Sequence, residues 1–548
     1  MAATASVAHP TIAAAKVPVA RASVALRSNA VVAAASAARR TLAAVRVLTA
    51  RARAIVALRS SAAAVAASAA HRTVAAVRVL AVKASVALRS SAAVVAASVA
   101  RHTTARAISL MKLLLPPNVQ RLTEGDRVVF FNPDVPSWVV TDNNGATVLS
   151  LCDGTMTLEE TARLIEEEMG AEPARMVEDF LRYAVEARLF ESPSAEEVPV
   201  FRSDGSLSIV QFSISSRCNL HCRYCYATDR VENSHPLMTL HDYQRVVDEV
   251  CAMSPTVKFT VTGGEPLLNA DCLAIARYIK EKGHFVDLLT NATLIHDGNV
   301  EEICEVFDMV TVSIDGSNGK LHESLRGPHS YERAEKAIRL LTDHAMDTRV
   351  SMTVNRLNIH DVEAMAQKYG AMLSYAPLFP AGNARDDNDL SISGAEYYEA
   401  LRAAHGVNPL SYCESALDGA QQCRNCKCAM GDSELSFSPT GDVYPCQLLH
   451  YPEFLIGNIH EHSVSYLYGH SPVVERCRHL TVDNIEECSR CFLKYVCGGA
   501  CRARAYHECG DISHSGNFCE YEKRAFVDGL LRIYSENKMA RPSSKDHS

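Results

Sequence analysis

Acidic residues are absent from the first 108 positions of this 548-residue chain, although the same stretch holds fifteen lysines and arginines. It also lacks aromatic residues and any apolar run long enough to span a membrane. What it has is alanine, valine and serine, with Ala-Leu-Arg-Ser recurring at Ala25, Ala57 and Ala87 as a degenerate repeat of roughly thirty residues. Three interpretations fit: a disordered extension, a targeting segment, or translation upstream of the true start. Met111, directly before an ordinary domain sequence, favours the third.

Basic residues are scarce in the remainder of the chain, which carries 40 lysines and arginines against 63 aspartates and glutamates. Nucleic-acid binding needs clustered basic side chains to neutralise phosphates, so the composition argues against that class of partner. The 48% hydrophobic content is ordinary for a globular protein, and the length allows about three domains. Since we recognise no signal peptide and no membrane span, we expect a cytoplasmic protein.

The spacing of the cysteines indicates metal binding. Of nineteen cysteines, twelve fall at or after Cys413, several in C-x2-C or C-x3-C groups that are typical of metal sites in a reducing compartment. An earlier group, Cys218, Cys222 and Cys225, has C-x3-C-x2-C spacing and no fourth thiol. Three thiols within eight residues indicate a 4Fe-4S cluster with one iron left open to a substrate. A zinc knuckle completed elsewhere, for instance by His221, is the alternative.

Strand-like and helix-like segments alternate between residues 207 and 379. Six strands are predicted, at 207–215, 258–262, 285–290, 309–314, 348–354 and 374–379, with helices between them such as 240–253, 272–282 and 331–343. The pattern predicts an α/β fold with a parallel sheet, either doubly wound or curled into a partial (βα)6 TIM-like barrel. Ligands of such sheets bind at the carboxyl ends of the strands, and the three-cysteine loop follows the first strand.

A small α/β domain is predicted at residues 112–192. Its paired strands are expected at 128–132 and 138–142, and its helices at 145–151, 158–169 and 174–187. Thr157 stands before two glutamates and is the expected cap of the second helix. The proline- and glutamate-containing segment that follows this domain is typical of a linker.

The three-cysteine loop after the first strand and Gly263-Gly264-Glu265-Pro266 after the second are together similar to the radical S-adenosylmethionine superfamily. Glycines let a ligand approach the backbone closely, and a carboxylate is an acceptor for an ammonium group. The resemblance implies that the three thiols hold a 4Fe-4S cluster which binds the methionine moiety of S-adenosylmethionine. In that family the backbone at the position of Tyr224 lies near adenine, Ser313 or Asp315 reaches the ribose, and Arg326 reaches the carboxylate. The full set of implied cofactor contacts is Tyr224, Gly263, Gly264, Glu265, Asn291, Ser313, Asp315 and Arg326.

The C-terminal cysteines resemble the SPASM extension of the same superfamily. The matching pattern is a cysteine, a Gly-x4-Cys, a C-x2-C-x5-C-x3-C run and a last cysteine. The resemblance implies two auxiliary 4Fe-4S clusters, and two zinc sites of similar spacing are the alternative. The nearer cluster would be held by Cys428, Cys446 and Cys501 with Cys423 or Cys426, and the farther by Cys488, Cys491, Cys497 and Cys519. The remaining thiols of this region, Cys413, Cys477 and Cys509, are expected to be core residues.

Residues 112–192 resemble the winged-helix, PqqD-like domain of the peptide chaperone of pyrroloquinoline quinone biosynthesis, which is fused to many maturases of ribosomal peptides. The resemblance rests on the segment from Val148 to Gly154, on Phe180-Leu181 and on Leu189-Phe190. In that family a leader peptide adds to an exposed sheet edge as a further strand. A structural winged helix that binds no peptide is the alternative.

Together the resemblances imply a radical S-adenosylmethionine peptide maturase. Its 5′-deoxyadenosyl radical would abstract hydrogen from a ribosomally made precursor peptide, and a thioether or carbon-carbon crosslink would follow. The expected partners are that peptide, held through its leader, and an electron donor such as flavodoxin or ferredoxin. An anaerobic sulfatase maturase, which forms formylglycine, is the rival, but Gln447 stands where that family typically has an acidic base. A non-catalytic iron-sulfur electron carrier is the alternative of another class.

The predicted boundaries divide the chain into six segments. These are a low-complexity extension at 1–110, a peptide-binding domain at 112–192, a radical S-adenosylmethionine core at 205–385, a linker at 386–412, a SPASM domain at 413–525 and a tail at 526–548. The function is expected to lie in the second, third and fifth of these segments.

Overall fold

A computed structural model gives the fold of residues 109–192, 206–230, 235–404 and 424–540, with side chains described as far as Leu531. The described residues from Lys112 onward belong to one compact unit. Most of the predicted low-complexity extension lies outside the described residues, as do Cys413 and Cys423. Within the described ranges, no helix combines the length and the apolar character needed to cross a membrane.

The N-terminal domain consists of a three-stranded antiparallel sheet, a two-stranded ribbon and three helices. Its strands are β1 (Lys112–Leu114), β2 (Gln120–Glu124), β3 (Arg127–Asn132), β4 (Ser137–Asp142) and β5 (Asp153–Thr157), and its helices are α1 (Asn143–Ser150), α2 (Leu158–Met169) and α3 (Ala171–Glu186). The order β2-β3-β4 leaves β2 at an edge, with most of its residues exposed. The short strands β1 and β5 pair with each other, which the sequence did not predict.

Helix α2 begins at the predicted residue because of a reciprocal cap. The hydroxyl of Thr157 accepts the backbone N–H of Glu160 at 3.2 Å, and the Glu160 carboxylate accepts the backbone N–H of Thr157 at 2.7 Å. Glu159 and Glu160 also place negative charge at the positive end of the helix dipole. The prediction for Thr157 is confirmed.

The central part of the chain forms a parallel sheet with helices in the crossovers. Its strands are β6 (Ile209–Ser213), β7 (Lys258–Thr262), β8 (Phe285–Thr290), β9 (Met309–Ser313), β10 (Asp347–Val354) and β11 (Leu373–Pro377), and its helices are α4 (Leu240–Met253), α5 (Cys272–Glu281), α6 (Val300–Val306), α7 (Gly319–Arg326), α8 (Tyr331–Asp343) and α9 (Val362–Tyr369). Each strand pairs in parallel with the next along the chain. Val210, Val261 and Leu288 have no exposed surface, as expected for a sheet covered on both faces. The α/β fold with a parallel sheet is confirmed.

The C-terminal part of the chain continues the same sheet. Its elements are α10 (Gly394–Ala403), β12 (Glu434–Phe437), β13 (Asp442–Tyr444), β14 (Gly457–Asn458), α11 (Val464–His470), α12 (Pro472–His479), α13 (Glu486–Ser489), α14 (Lys494–Cys497), α15 (Arg502–Cys509) and α16 (Cys519–Ala540). Strand β12 pairs in parallel with β6, and β13 and β14 follow in antiparallel pairing. The result is one sheet of nine strands. The strand that leads to the three-cysteine loop therefore lies between β7 and the first strand of the C-terminal region.

An aromatic cluster joins the N-terminal domain to the C-terminal region. Phe131 and Trp138, on the paired strands β3 and β4, stack on each other, and both meet the ring of Phe526 edge-on at 5.9 and 5.7 Å between centroids. Phe492, which follows Cys491, meets Phe131 at 5.8 Å. Phe131, Trp138 and Phe526 are each at most 5% exposed, so this contact is a continuous piece of core.

Two predicted boundaries differ from the described elements. Helix α10 lies inside the predicted linker, and its residues Tyr398 and Leu401 are buried. Helix α16 continues through the start of the predicted tail, where Leu530 and Leu531 are each 3% exposed. Both helices are fixed by apolar residues that pack on distant parts of the chain, so local composition alone did not reveal them.

Candidate active site and metal centres

The three-cysteine loop leaves β6 at its carboxyl end, as predicted. Cys218 is exposed and Cys222 and Cys225 are half-buried, and the charge of Cys225 acts on both of the other thiols. Burial raises the pKa of Cys222 to about 11, against the opposing effect of the positive charge of Arg326. Metal ligation requires the thiolate, so a bound cation would have to supply the charge that lowers this pKa. The structure thus brings the three predicted ligands together in one loop, and burial favours the neutral thiol at Cys218 and Cys222 until a metal binds.

The two glycines after β7 hold the base of this loop. A Cβ on Gly263 would lie 2.5 Å from the carbonyl oxygen of Ser215, and a Cβ on Gly264 would lie 2.4 Å from that of Arg217. The φ angle of Gly263 is 143°, which side chains rarely adopt. The backbone N–H of Gly264 donates to Ser215 at 2.6 Å. The close approach predicted for these glycines is therefore made to the backbone directly before Cys218.

Glu265 is a fully buried carboxylate between the loops after β7 and β8. Its Oε1 accepts the hydroxyl of Thr290 at 2.7 Å and the N–H of Leu267 at 3.1 Å, and its Oε2 accepts the N–H of Asn291 at 2.9 Å. Burial raises the pKa of Glu265, and these three hydrogen bonds act in the opposite direction. A carboxylate has about four acceptor positions, so roughly one remains for a further donor such as an ammonium group.

A chain of amides ties the three-cysteine loop to the loop after β8. The side-chain nitrogen of Asn291 donates to the side-chain oxygen of Asn219 at 2.9 Å and lies 3.9 Å from the sulfur of Cys218. Asn219 in turn donates to the hydroxyl of Thr293 at 2.8 Å. Asn291 was predicted as a cofactor contact, and the structure places it beside the first thiol. Asn219 and Thr293 were missed, because polar residues in loops carry no periodic signal.

Asp315 is the centre of a buried brace. Its Oδ2 accepts hydrogen bonds from the hydroxyl of Tyr224 and from Nε of Arg326, and its Oδ1 accepts the backbone N–H of Thr353 at 2.8 Å. The Arg326 guanidinium also lies over the Tyr224 ring, 5.5 Å from its centroid. Asp315 has no exposed surface and Arg326 is 9% exposed. The brace links the carboxyl ends of β9 and β10 to the residue between the second and third cysteines.

The brace gives three of the expected cofactor contacts partners within the protein. Asp315 and Arg326 are paired with each other, and the side chain of Tyr224 completes the contact. Ser313 ends β9 in a half-buried position nearby. His322 accepts the backbone N–H of Asp315 at 3.2 Å, and burial together with the charge of Arg326 lowers its pKa to about 4. His322 is therefore neutral at physiological pH.

Four cysteines of the predicted pattern share one pocket, which we call the far site. Cys488, Cys491, Cys497 and Cys519 all line it. Burial raises the pKa of Cys519 to about 11 and raises that of Cys497 further. The same pocket is lined by the charged residues Glu487, Lys494, Arg502, Glu522 and Lys523. The structure thus groups the four residues that the sequence assigned to the farther auxiliary cluster.

Three other cysteines come together beside β13, at what we call the near site. The charge of Cys501 acts on both Cys428 and Cys446, and the latter two pack in one apolar cluster with Met430 and Tyr444. Burial raises the pKa of Cys428 to about 11 and that of Cys446 well above its usual range. These are the three predicted ligands of the nearer auxiliary cluster.

The predicted fourth ligand of the near site is either Cys423 or Cys426. Cys426 packs with Cys488 in an apolar cluster separate from that of Cys428, and Cys423 lies outside the described residues. Cys477 is 1% exposed and packs in the same cluster as Cys428, as expected of a core residue. Cys509 is exposed, so the expectation of a core residue is wrong there.

The donor set of the far site consists of four thiols, a set that suits a 4Fe-4S cluster as well as a tetrahedral zinc ion. At the far site, Nε of Arg502 and Oε2 of Glu522 are buried without a hydrogen-bond partner among the described residues. Buried polar atoms without a hydrogen-bond partner are expected where they face a bound polar or charged group.

Comparison with protein families identifies two domains. Residues 212–369 match the model of the Radical SAM superfamily, and residues 428–492 match that of SPASM, an iron-sulfur cluster-binding domain. The chain therefore carries a region that matches radical SAM domains, followed by a region that matches SPASM domains, and like the relatives that share these regions it is an enzyme. Domains of these two kinds bind 4Fe-4S clusters and S-adenosylmethionine.

The curated relatives include two kinds of enzyme. An AdoMet-dependent heme synthase of Methanosarcina barkeri is 27% identical over 343 residues, covering 57% of this chain and 96% of that protein. The antilisterial bacteriocin subtilosin biosynthesis protein AlbA of Bacillus subtilis is 26% identical over 333 residues, covering 59% and 72%. The mycofactocin maturase MftC of Mycolicibacterium smegmatis is 25% identical over 310 residues, covering 54% and 78%. The chain is thus related to peptide maturases and to heme synthases.

Among solved structures, native anSMEcpe with bound AdoMet shares the fold. Its TM-score is 0.51 at 20% identity, and the alignment covers 60% of this chain and 98% of that one. The match supports the α/β architecture with its mostly parallel sheet.

Proposed function

We propose that this chain is a radical S-adenosylmethionine maturase that modifies a ribosomally made precursor peptide. The observation that carries the proposal is the combination, in one compact unit, of an open three-thiol site, two further cysteine sites and an N-terminal domain with an exposed sheet edge. Relatives named for subtilosin and mycofactocin biosynthesis support the assignment.

At the first site, Cys218, Cys222 and Cys225 hold the cluster that binds S-adenosylmethionine. Glu265 offers its remaining acceptor position to the amino group of the cofactor, and Thr290 keeps the carboxylate in place. When bound, the cluster and S-adenosylmethionine together supply a 5′-deoxyadenosyl radical that can abstract hydrogen from an unactivated carbon.

The protein's own contribution at this site is to hold the loop still. The Asp315 brace fixes Tyr224 between two of the cysteines, and the glycines after β7 fix the backbone before the first. Both contacts come from strand ends of a rigid sheet, so the loop is positioned before any cofactor arrives. Such preorganisation lowers the entropic cost of reaching a reactive geometry.

The N-terminal domain supplies the peptide-binding surface, as a PqqD-like winged helix. Strand β2 is an exposed edge, and an extended leader can add to such an edge through backbone hydrogen bonds. The aromatic cluster around Trp138 holds this domain against the C-terminal region. A peptide bound at β2 is thereby kept at a fixed distance from the cysteine sites.

A heme synthase is the second candidate, because those relatives match at 27% identity. That match covers 96% of the relative but only 57% of this chain, so this chain has a substantial segment without counterpart there. The sulfatase-maturase rival requires a general base after Cys446, and the amide of Gln447 cannot take up a proton usefully. A non-catalytic iron-sulfur carrier would need neither the open site nor Glu265.

The proposal is tested with the full chain, reconstituted and reduced without oxygen. Incubation with S-adenosylmethionine is expected to release 5′-deoxyadenosine, and a precursor peptide encoded beside the gene is expected to lose two hydrogens per crosslink, as read by mass spectrometry. Cys222→Ala serves as the matched control for both products. Absence of cofactor cleavage favours the carrier, and cleavage with heme formation but no change in any neighbouring peptide favours the heme synthase.

Leader binding is tested by hydrogen–deuterium exchange of the full chain with and without the peptide. The amides of residues 120–124 are expected to become protected when the leader adds to β2. Residues 158–169 of α2 serve as an internal reference, because their amides are already bonded within the helix. Unchanged exchange at 120–124 in the presence of a peptide that is modified would refute recognition through this edge.

A further inference from the structure

Arg502 is a buried cation with no carboxylate partner among the described residues. Its side chain is 2% exposed, and it is among the largest fully buried side chains of the described chain. One terminal nitrogen donates to the carbonyls of Ile512 at 3.0 Å and His514 at 2.7 Å, and the other donates to the carbonyl of Gly499. Burying a charge in this way is costly unless an opposite charge compensates it.

The remaining donor of Arg502 points to where that compensation comes from. Nε has no hydrogen-bond partner, and the residue lines the far site together with its four cysteines. Glu522 lines the same pocket and feels the charge of Arg502, but the two side chains do not form an ion pair. A carboxylate is therefore not the counter-charge that the described residues provide.

The position of Arg502 in its helix is also unusual. It is the first residue of α15, where a positive charge opposes the helix dipole, and no acidic residue stands in that first turn. It directly follows Cys501 of the near site, and its charge acts on Cys501 and on Cys488 of the far site. Arg502 thus acts on thiols of both groups, whereas Arg504 acts on Cys501 and Lys523 acts on Cys488.

We propose that Arg502 is the counter-cation of the far site, with Nε–H directed at the bound cluster, and that it raises the reduction potential of that cluster. A 4Fe-4S cluster with four thiolates is an anion, and it becomes more negative on reduction. A fixed positive charge beside it favours the reduced state, and hydrogen bonds to cluster sulfur act in the same direction. The inference rests on the proposed cluster at the far site, but not on the identity of the substrate.

The experiment measures midpoint potentials by electron paramagnetic resonance during redox titration, with neither peptide nor S-adenosylmethionine present. The background is the full chain carrying Cys218→Ala, Cys222→Ala and Cys225→Ala, so that only the auxiliary clusters give signals. In Arg502→Met, the ratio of reduced to oxidised far cluster at a given potential should fall by at least about tenfold, which is about 59 mV for a one-electron couple. Arg502→Lys keeps the charge and loses Nε–H, so its shift should be smaller.

Arg504→Met is the matched control. Arg504 is a second buried arginine of α15, but it is paired with Glu508 at 3.2 Å and does not line the far site. Its charge acts on Glu522 of the far site, so its substitution should shift the potential of the far cluster by much less than Arg502→Met does, while iron content stays at that of the parent protein.

Each outcome bears on the inference. Loss of far-site iron in Arg502→Met with retention in Arg502→Lys supports a counter-charge, as does the expected shift. Equal loss in both variants indicates a packing role and overturns the inference, and so does an unchanged potential in Arg502→Met. A parent protein that binds no second auxiliary cluster would overturn the far site itself. Failure to modify a peptide would leave these results standing, because no peptide is used.

Discussion

Substitution of Asp315 by asparagine tests whether this residue braces the three-cysteine loop or contacts the cofactor. All three partners of the carboxylate are donors: the Tyr224 hydroxyl, Nε of Arg326 and the backbone N–H of Thr353. An asparagine of the same shape has one acceptor oxygen and one NH2 group, so at least one donor must face another donor. It also leaves the buried guanidinium of Arg326 without its counter-charge.

The magnitude follows from burial. Asp315 has no exposed side-chain surface and that of Arg326 is 10% exposed, so solvent cannot replace the lost partner. Removing one member of a buried ion pair typically costs about 3–5 kcal/mol. We therefore expect Asp315→Asn to lower the stability of the parallel-sheet domain by about that amount. Tyr224→Phe, which removes only one hydrogen bond to the carboxylate, should cost about 1.5–3 kcal/mol.

The assay is denaturant unfolding of the full chain without oxygen, followed by circular dichroism, with iron content and S-adenosylmethionine affinity measured on the folded variants. Midpoints are compared, because a chain of several domains does not unfold in a single step. Lys336→Ala removes an exposed ion pair with Asp297 elsewhere in the parallel-sheet domain and serves as the control. Its unfolding midpoint should change little. An Asp315→Asn protein with an unchanged midpoint, full iron and weakened cofactor binding would refute the brace and restore the ribose contact.

Three further predictions concern the same site. Cys222→Ala should abolish cleavage of S-adenosylmethionine while the signals of the auxiliary clusters persist, and retained cleavage would contradict the assignment of the open cluster. Glu265→Gln should weaken S-adenosylmethionine binding, measured by equilibrium titration, by about 1.5–3 kcal/mol through loss of a charged hydrogen bond, and unchanged affinity would place the amino group elsewhere. His322 has a pKa of about 4 in the folded protein, below its unfolded value of about 6.5, so the unfolded chain binds the proton more readily. The stability of the fold should therefore fall as the pH drops from about 6.5 towards 4. His322→Gln should lose this part of the pH dependence of the unfolding midpoint, and an identical pH profile would show that His322 is not buried neutral.

The strands of the parallel sheet could be predicted from sequence because the residue pattern that indicates each strand lies within the strand. The segments at 258–262 and 285–290 agree with β7 and β8 at both ends, since each is a short apolar run bounded by turn residues. The helices at 240–253 and 331–343 agree equally well with α4 and α8. In each case the residues that decide the element lie within it.

The cysteine positions were also predictable, but the contacts of the polar residues were not. Cys488, Cys491 and Cys497 lie close together in the sequence, so their grouping at one site could be predicted from spacing alone. Cys519 is the fourth member of that site. The partner of Asp315, by contrast, is decided by how α7 packs against β9, which brings Arg326 to it from eleven positions away. A charged residue at a strand end has the same local appearance whether it meets a ligand or another side chain.

Elements that depend on distant packing were missed for the same reason. The ribbon of β1 and β5 joins residues about forty positions apart, and neither strand has a strong pattern of its own. Helix α16 extends past the predicted boundary because Phe526 packs on Trp138, almost four hundred residues earlier. Sequence periodicity reports which face of a segment is apolar, but not what will cover it.

The backbone pairing of β6 with β12 has a consequence for how a long substrate is handled. The four residue pairs from Glu434 with Ile209 to Phe437 with Phe212 join the radical SAM and SPASM domains in a single sheet, so no hinge separates them at this seam. The distance between groups bound in the two domains is therefore set when the sheet folds, and closure of the domains about this seam does not shorten it. Under the proposed function, a peptide that is modified at several residues has to move relative to this sheet.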